Sequence, residues 1–368
     1  MAGWGEKTEA LNTTMNFFKQ LAYRPFFIKL LHWEYWSFNT VYAPLYLYWI
    51  GLCIKARSFF FFNASNPTIK NGGFLMESKK EIYDIMPQAL YPPTLLFKAG
   101  ASENEITNAL LSTPLGYPMI GKPDIGGRGK GVKKLYNLNE VLQYAQQSKV
   151  DFLLQQFVPF ENEIGVFYYR FPGEDKGVVS GIVGKEFLTV KGDGTSTILQ
   201  LLQKDMRFIL QLPVLKATYG KTLNNILPAN EKFLMVPYGN HARGAKFIDV
   251  SHLTDERLTN TIDAICKQIP AFYYGRMDVR FNTWEELCEG KNFSVIEVNG
   301  AGSEPTHIYD PKHSIFFAWY EICRHWNLLY KISIINHKKH NAPYLSFADG
   351  IKMFKENSEY EKIFAQSE

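Results

Sequence analysis

Two short runs near residue 300 decide how this chain is read: "GRMDVRF" at 275–281 and "FSVIEVNGAGSEP" at 293–305. Strand side chains alternate between faces, so the first run puts Arg276, Asp278 and Arg280 on one side and Met277, Val279 and Phe281 on the other. In the second, Glu297 and Asn299 share a face while Ile296 and Val298 point away. If the two strands pair, two carboxylates and an amide oxygen converge. Such donors suit magnesium, a hard cation that takes one or two carboxylates and completes its octahedron with phosphate oxygens and water. The same alternation also describes a half-exposed hairpin carrying surface ion pairs, and these two runs alone leave both readings open.

Upstream lies "IGKPDIGGRGKGV" at 120–132, where Gly126, Gly127, Gly129 and Gly131 interleave with Arg128 and Lys130 just after Lys122 and Pro123. Glycine permits close backbone approach and unusual dihedrals while the basic residues supply charge, so a phosphate-bearing ligand is the natural guest. A Walker A loop would need Ser or Thr after its lysine, and Lys130 is followed by Gly131. A dinucleotide fingerprint would open a helix at once, whereas the helical period here starts only near Leu138. Taken alone, the run also fits a solvated hairpin loop.

The 368 residues allow two or three domains, and 46% hydrophobic content argues against disorder. A formal net charge of +4, spread along the chain, does not demand a nucleic-acid partner. Cys53, Cys266, Cys288 and Cys323 lie far apart, which disfavours structural zinc and a disulfide framework and fits a reducing cytoplasm. No secretory signal is visible in the first thirty residues. The run "YWSFNTVYAPLYLYWIGLCI" at 35–54 carries no charge and has the length of a membrane span. Pro44, Asn39 and its Tyr and Trp residues argue against spanning, and leave a buried core or a monotopic contact through residues 35–62. The following "KARSFFFFNASN" extends the aromatic character and also reads as a buried strand.

Elsewhere, Thr94 to Phe97 reads as a short strand after Pro92 and Pro93, and Ser102 with Glu105 forms a capping box opening a helix. "LNEVLQYAQQ" reads as a second helix, "FLLQQFV" and "EIGVFYYRF" as strands, and "KGDGTSTILQLL" as a turn into a helix. Residues 206–232 are less readable. The order strand, loop, helix, strand, strand belongs to a mixed α/β module.

Taken in order, Lys122-Pro123, the glycine loop, "LLQQFV" with Glu163 beyond, "GRMDVRF" and "VIEVNGAGSEPTH" resemble the ATP-grasp superfamily of carboxylate-amine ligases. "GDGTSTILQLL" and "GNHARGAKFIDVS" resemble the branch of cyanophycin synthetase and bifunctional glutathione synthetases, and "EVNGAGSEPTH" resembles D-alanine:D-alanine ligase. The resemblance covers residues 90–311. It implies an ATP-grasp fold, two α+β lobes clasping ATP, in residues 91–330, behind an atypical aromatic-rich domain in 1–90 and ahead of a C-terminal extension in 331–368.

The resemblance implies that Lys122 contacts the ATP phosphates and that Gly126, Gly127, Arg128, Gly129 and Lys130 fold over them. Gln155, Gln156, Phe157 and Val158 match the segment that reads adenine, and Glu163 the acid that holds the ribose. Lys185 stands near a second basic position. Asp278, Glu297 and Asn299 match magnesium ligands, with manganese as a substitute, and Arg276 matches the arginine that stabilises charge during transfer. His241 and Arg243 lie in a segment that faces the reacting groups; no general base is evident, so that either the amine enters already neutral or His241 or His307 takes its proton. The implied activity joins a carboxylate to an amine through an acyl phosphate, releasing ADP and phosphate; the substrates are small molecules and a homodimer is expected. A kinase on the same site and a non-catalytic membrane-associated ATP-binding module are the alternatives, the latter with a peripheral place at the inner membrane face. Departures from the family are Gln155 and Gln156, where acid or lysine is frequent, and Ile308, where D-alanine:D-alanine ligases place a serine. The segment "ESKKEIYDIMP" stands where the usual preceding domain would end its last helix.

Overall fold

The computed structural model describes residues 23–127, 129–236, 239, 241 and 244–366. Its strands, in chain order, are β1 (Thr94–Phe97), β2 (Met119–Pro123), β3 (Lys133–Leu135), β4 (Phe152–Gln156), β5 (Asn162–Tyr169), β6 (Val178–Glu186), β7 (Leu188–Lys191), β8 (Lys232–Val236), β9 (Lys246–Asp249), β10 (Tyr274–Phe281) and β11 (Phe293–Asn299). They form a four-stranded sheet ordered β1-β4-β2-β3, a five-stranded sheet ordered β11-β10-β5-β6-β9, and the ribbon β7-β8. Antiparallel sheets with helices packed on them make the chain α+β.

Two compact units share the chain. The larger comprises residues 45–185, 247–308 and 318–368. Its main core lies on one face of the five-stranded sheet, where Ile164, Val166 and Tyr168 of β5 and Met277, Val279 and Phe281 of β10 alternate inward. The helix Glu256–Lys267 covers them with Leu258, Ile262, Ile265 and Cys266 at helical spacing. The same sheet's other face is divided: Phe167 and Tyr274 anchor an aromatic core with Leu52, Phe61, Leu329 and Ile332, while further along it becomes charged. The four-stranded sheet has its own core with helices Glu103–Leu111 and Leu138–Gln147. Ser102 caps the first by accepting from the Glu105 amide, and Asn137 caps the second by accepting from the Glu140 amide.

Among the described residues, the smaller unit draws on 23–44, 186–246 and 309–317. Leu188 and Val190 of β7 pack with Ile198, Leu202, Leu215, Leu223 and Met235. Asp193 accepts from the backbone of Thr195 and Ser196 to make the turn, and Thr197 with Gln200 forms a reciprocal capping box opening the helix Ile198–Leu202. Residues 206–232, unreadable as a pattern, supply the short helices Met206–Ile209 and Leu212–Tyr219.

The uncharged run at 35–54 is not one element. Helices Phe38–Tyr42 and Tyr46–Ala56 are separated at Ala43–Leu45, where Pro44 removes a donor, and no helix among the described residues is long and apolar enough to cross a membrane. The strand reading of "KARSFFFFNASN" does not hold. The helix stops at Arg57 in a left-handed conformation (φ 54), and Phe60, Phe61 and Phe62 are all buried, which an alternating strand beside exposed Phe59 would not allow. Phe61–Ser65 is a 3-10 turn instead. The segment is fixed by Asn66, which donates to the carbonyls of Gly72 and Tyr274 and accepts from the amides of Tyr273 and Tyr274.

Candidate active site

The site is built on the charged end of the five-stranded sheet, within the larger unit. β10 and β11 pair antiparallel with Arg276 opposite Asn299 and Asp278 opposite Glu297. Side chains directly opposite on one face lie close enough to share a ligand. Between Asp278 and Val279 the register shifts, leaving Ile296 as the extra residue of a bulge. Its carbonyl accepts instead from the Lys122 ammonium at 3.1 Å and from the Tyr83 hydroxyl. On the other side of β10, Asp278 faces Gly165 and Arg280 faces Glu163. A Cβ on Gly165 would meet Asp278 Oδ1 at 3.0 Å and Val183 Cγ1 at 2.9 Å, so glycine there makes room for the carboxylate.

Charge on this face is shared in a chain. Lys185 lies 2.9 Å from both Glu163 Oε1 and Asp278 Oδ2, Arg276 Nε lies 3.1 Å from Asp278 Oδ1, and Arg280 Nε lies 3.0 Å from Glu163 Oε2. Burial would push the Asp278 carboxyl up, but Arg276 and then Lys185 outweigh it and hold the group below the usual carboxylate range. For Lys185 burial acts downward, and Asp278 and Glu163 together carry the net shift upward.

Lys122 differs. It is 7% exposed, and its ammonium bonds to the Tyr83 hydroxyl, the Gln155 side-chain oxygen and the Ile296 carbonyl, all of them neutral. Burial brings its pKa down to about 8, against the more distant pull of Glu297, Asp124 and Asp278. Gln155 is oriented for this by donating to Thr94, and Gln156 turns away to accept from the Gly116 amide. The Phe157 ring lies between Lys134, 3.7 Å from its centroid, and Arg280, at 5.7 Å, and Arg280 also donates to the Val158 carbonyl.

The glycine loop enters from β2. Gly126, Gly129 and Gly131 have positive φ, and a Cβ on Gly126 or Gly127 would meet nothing within 4 Å. Arg128 and Arg243 lie outside the described residues. Lys79, which the sequence reading passed over, donates to the carbonyls of Asp124 and Gly126 and lies 3.6 Å from Glu297. Its signal was Ser78, which caps the helix Lys79–Asp84 and so fixes the lysine in its first turn. A second unnoticed signal was "NGG" at 71–73. Gly72 and Gly73 accept from the amides of Ala301 and Gly302, in contacts so close that a Cβ on Gly300 would meet the Gly72 carbonyl at 2.3 Å, tying the aromatic segment to the loop after Asn299.

The oxygen-only set of Asp278, Glu297 and Asn299 fits a hard cation. Asn299 Nδ2 is buried with no hydrogen-bond partner, a donor that cannot itself hold a cation but that an incoming acceptor oxygen would satisfy. Among the described residues no three His, Cys, Asp or Glu side chains gather to hold an ion by themselves, so phosphate or water oxygens would have to complete the shell, the usual arrangement for magnesium.

The two histidines have surroundings of their own. His241 belongs to the smaller unit, where its ring lies 5.5 Å from those of Tyr35 and Tyr309. Burial and then Arg207 hold its pKa at about 4, so the imidazole is neutral at ordinary pH. His307 is buried with Nε2 3.2 Å from Glu321, which Arg324 also holds. Ile308 is fully buried, and the Thr306 hydroxyl beside His307 has no hydrogen-bond partner.

No family model matches the chain. A formate-dependent phosphoribosylglycinamide formyltransferase of Sulfurisphaera tokodaii is 28% identical over 107 residues, which is 27% of this chain and 26% of that protein. Among solved structures, a bifunctional glutathione synthetase from Pasteurella multocida is 15% identical with a TM-score of 0.35, over 66% of this chain and 36% of that one. The VanG D-Ala:D-Ser ligase from Enterococcus faecalis is 15% identical with a TM-score of 0.40, over 69% and 61%. A D-alanine–D-alanine ligase from Bacillus anthracis is also 15% identical at 0.40, over 72% and 68%. The chain thus spans about a quarter of the curated relative's length and about a third of the synthetase's.

Proposed function

We propose that this protein is an ATP-dependent carboxylate-amine ligase of the ATP-grasp type, working through an acyl phosphate. The observation that carries the reading is Lys122, a buried ammonium bonded only to neutral groups at the root of a glycine loop. A buried cation without a carboxylate partner is costly unless something anionic completes its environment. The phosphates of a nucleotide would do so.

In this reading a substrate carboxylate oxygen attacks the γ-phosphorus, the bond to the bridging oxygen breaks, and ADP leaves. An amine then attacks the acyl carbon and phosphate departs, leaving an amide and a proton. The chain's contribution is position and charge, since phosphoryl transfer leaves little covalent work to side chains. Lys122 and Lys185 hold phosphate oxygens, Phe157 and the backbone near Gln156 and Val158 border the adenine, and Glu163 holds the ribose. Arg276 balances the charge of the acyl phosphate. Magnesium, or manganese, held by Asp278, Glu297 and Asn299 would offset phosphate charge when bound. Since Lys185 and Arg276 already sit on Asp278, arriving phosphates would draw these cations off and free the carboxylate.

The test is turnover of ATP across pooled carboxylates and amines, with Asp278→Asn and Glu297→Gln as controls. ADP release that needs one member of each pool and disappears in both controls supports the ligase. A stable phosphorylated hydroxyl compound would assign the kinase instead, and AMP would overturn the acyl-phosphate route.

A second reading concerns where the enzyme works. Leu47, Ile50 and Ile54 share one exposed face of the helix Tyr46–Ala56, and Phe59 continues it to Phe347, ring to ring at 6.1 Å. From Tyr35 to Met76 the sequence has Lys55, Arg57 and Lys70 but no Asp or Glu. An apolar face bordered by positive charge suits the surface of an anionic bilayer. The full chain should sediment with vesicles containing phosphatidylglycerol but not with phosphatidylcholine alone, and Leu47→Ser with Ile54→Ser should abolish this. Vesicle binding unaffected by those changes, or none at all, refutes it.

A further inference from the structure

The last two turns of the C-terminal helix, Phe347–Phe364, hold both ends of the glycine loop. The Tyr360 hydroxyl donates to the Ile125 carbonyl at 2.8 Å, just before the first loop glycine. At the far end Glu361 lies 3.1 Å from Lys130, and the Phe364 ring is packed so closely on Gly131 that a Cβ there would meet Phe364 Cζ at 2.9 Å. Phe364 is itself 5% exposed and also approaches the Pro123 side, where β2 ends. From the opposite side Tyr144 donates to the Gly131 carbonyl at 2.9 Å. Between these two fixed ends, Gly126 and Gly127 face open space.

We propose that Tyr360 and Phe364 are positioning residues for nucleotide binding: they set the height and register at which the glycine loop meets the phosphates. This rests on the ATP reading above. A loop of glycines has many backbone states, and ordering it on a ligand costs free energy that scales with the freedom lost. Anchoring both ends to one rigid helix removes much of that freedom beforehand, while leaving the tip able to close. The energetic weight lies with Phe364 and the Tyr360 bond rather than with Lys130 and Glu361, because that pair is half-exposed and screened by solvent. Neither residue touches the proposed phosphate site, so each acts through the loop alone.

The experiment compares the full-length protein with Tyr360→Phe, which removes one hydroxyl, Phe364→Ala, which removes the ring, and Phe364→Leu, which keeps apolar bulk. Three quantities are read: amide hydrogen exchange at residues 125–131 without nucleotide, the Kd for ATP, and KM for ATP against kcat. The expected result is faster loop exchange in Tyr360→Phe and Phe364→Ala, ATP binding weaker by about three- to tenfold, a matching rise in KM with kcat unchanged, and substantial recovery in Phe364→Leu. Thermal unfolding of Tyr360→Phe should stay close to that of the parent, separating loop position from global stability. If the parent binds ATP and both variants bind it equally well, the anchoring role is overturned. A fall in kcat without a change in KM overturns it too. If the parent binds no ATP at all, the ATP reading itself fails, which is a different result from either.

Discussion

The charged face of the five-stranded sheet and the glycine loop, assigned to one nucleotide in the proposed reading, are built in opposite ways. On the sheet, Lys185, Arg276, Arg280, Glu163 and Asp278 already hold one another, on strands whose other face is the main core. In the loop, a Cβ added at Gly126 or Gly127 would meet nothing within 4 Å. A rigid half gives geometry before the ligand arrives, and an open half admits the ligand and then covers it. Lys122 stands at their junction, buried like the sheet residues but unpaired by any carboxylate, like the loop.

The largest effect should come from breaking the rigid half. Lys185→Met removes the cation that joins Glu163 to Asp278 and leaves buried carboxylates with one partner each, so unfolding in urea should show a loss of about 3–5 kcal/mol. Gly165→Ala comes next. Its methyl would press on Asp278 and Val183 in a sheet that cannot yield, costing about 1–3 kcal/mol and lowering ATP turnover along with stability.

At the junction the two kinds of effect should separate. Lys122→Met takes away a buried ammonium and its desolvation cost, so stability should hold or rise while ATP affinity falls by at least about tenfold, a difference of about 1.4 kcal/mol. The pH dependence follows from the same burial. With its pKa near 8, the free protein loses the Lys122 charge as pH rises through 8, so the Kd for ATP should increase from pH 7 to pH 9 in the parent. In Lys122→Met that part of the dependence should vanish. The smallest structural effect belongs to the open half: Gly127→Ala fills empty space at a position without positive φ, so stability should stay within about 0.5 kcal/mol while ATP binding weakens.

The sequence made the rigid half readable because strand alternation is a short-range rule. Arg276, Asp278 and Arg280 on one face and Met277, Val279 and Phe281 on the other follow from period two alone, and so does the pairing of Glu297 with Asn299. The helix start at Ser102 was legible for the same reason, since a cap acts over three residues, and "KGDGTSTILQLL" was legible as a turn into a helix, though not its cap at Thr197. Contacts between distant stretches were not. Nothing near Lys79 announces Glu297, and nothing near Phe364 announces Gly131, because both meetings depend on how the whole larger unit closes. The aromatic segment was misread at Phe60–Phe62 because a run of apolar residues has no period to separate a buried turn from a strand. The bulge at Ile296, which turns a carbonyl toward Lys122, also left no mark in the pattern.

The most direct test is a calorimetric titration of ATP with magnesium into the parent and into Lys122→Met, with thermal unfolding of both proteins run alongside. The account predicts saturable binding to the parent, at least about tenfold weaker binding to the variant, and a variant that unfolds no earlier than the parent. No binding to the parent, or equal binding to the two proteins, would contradict it.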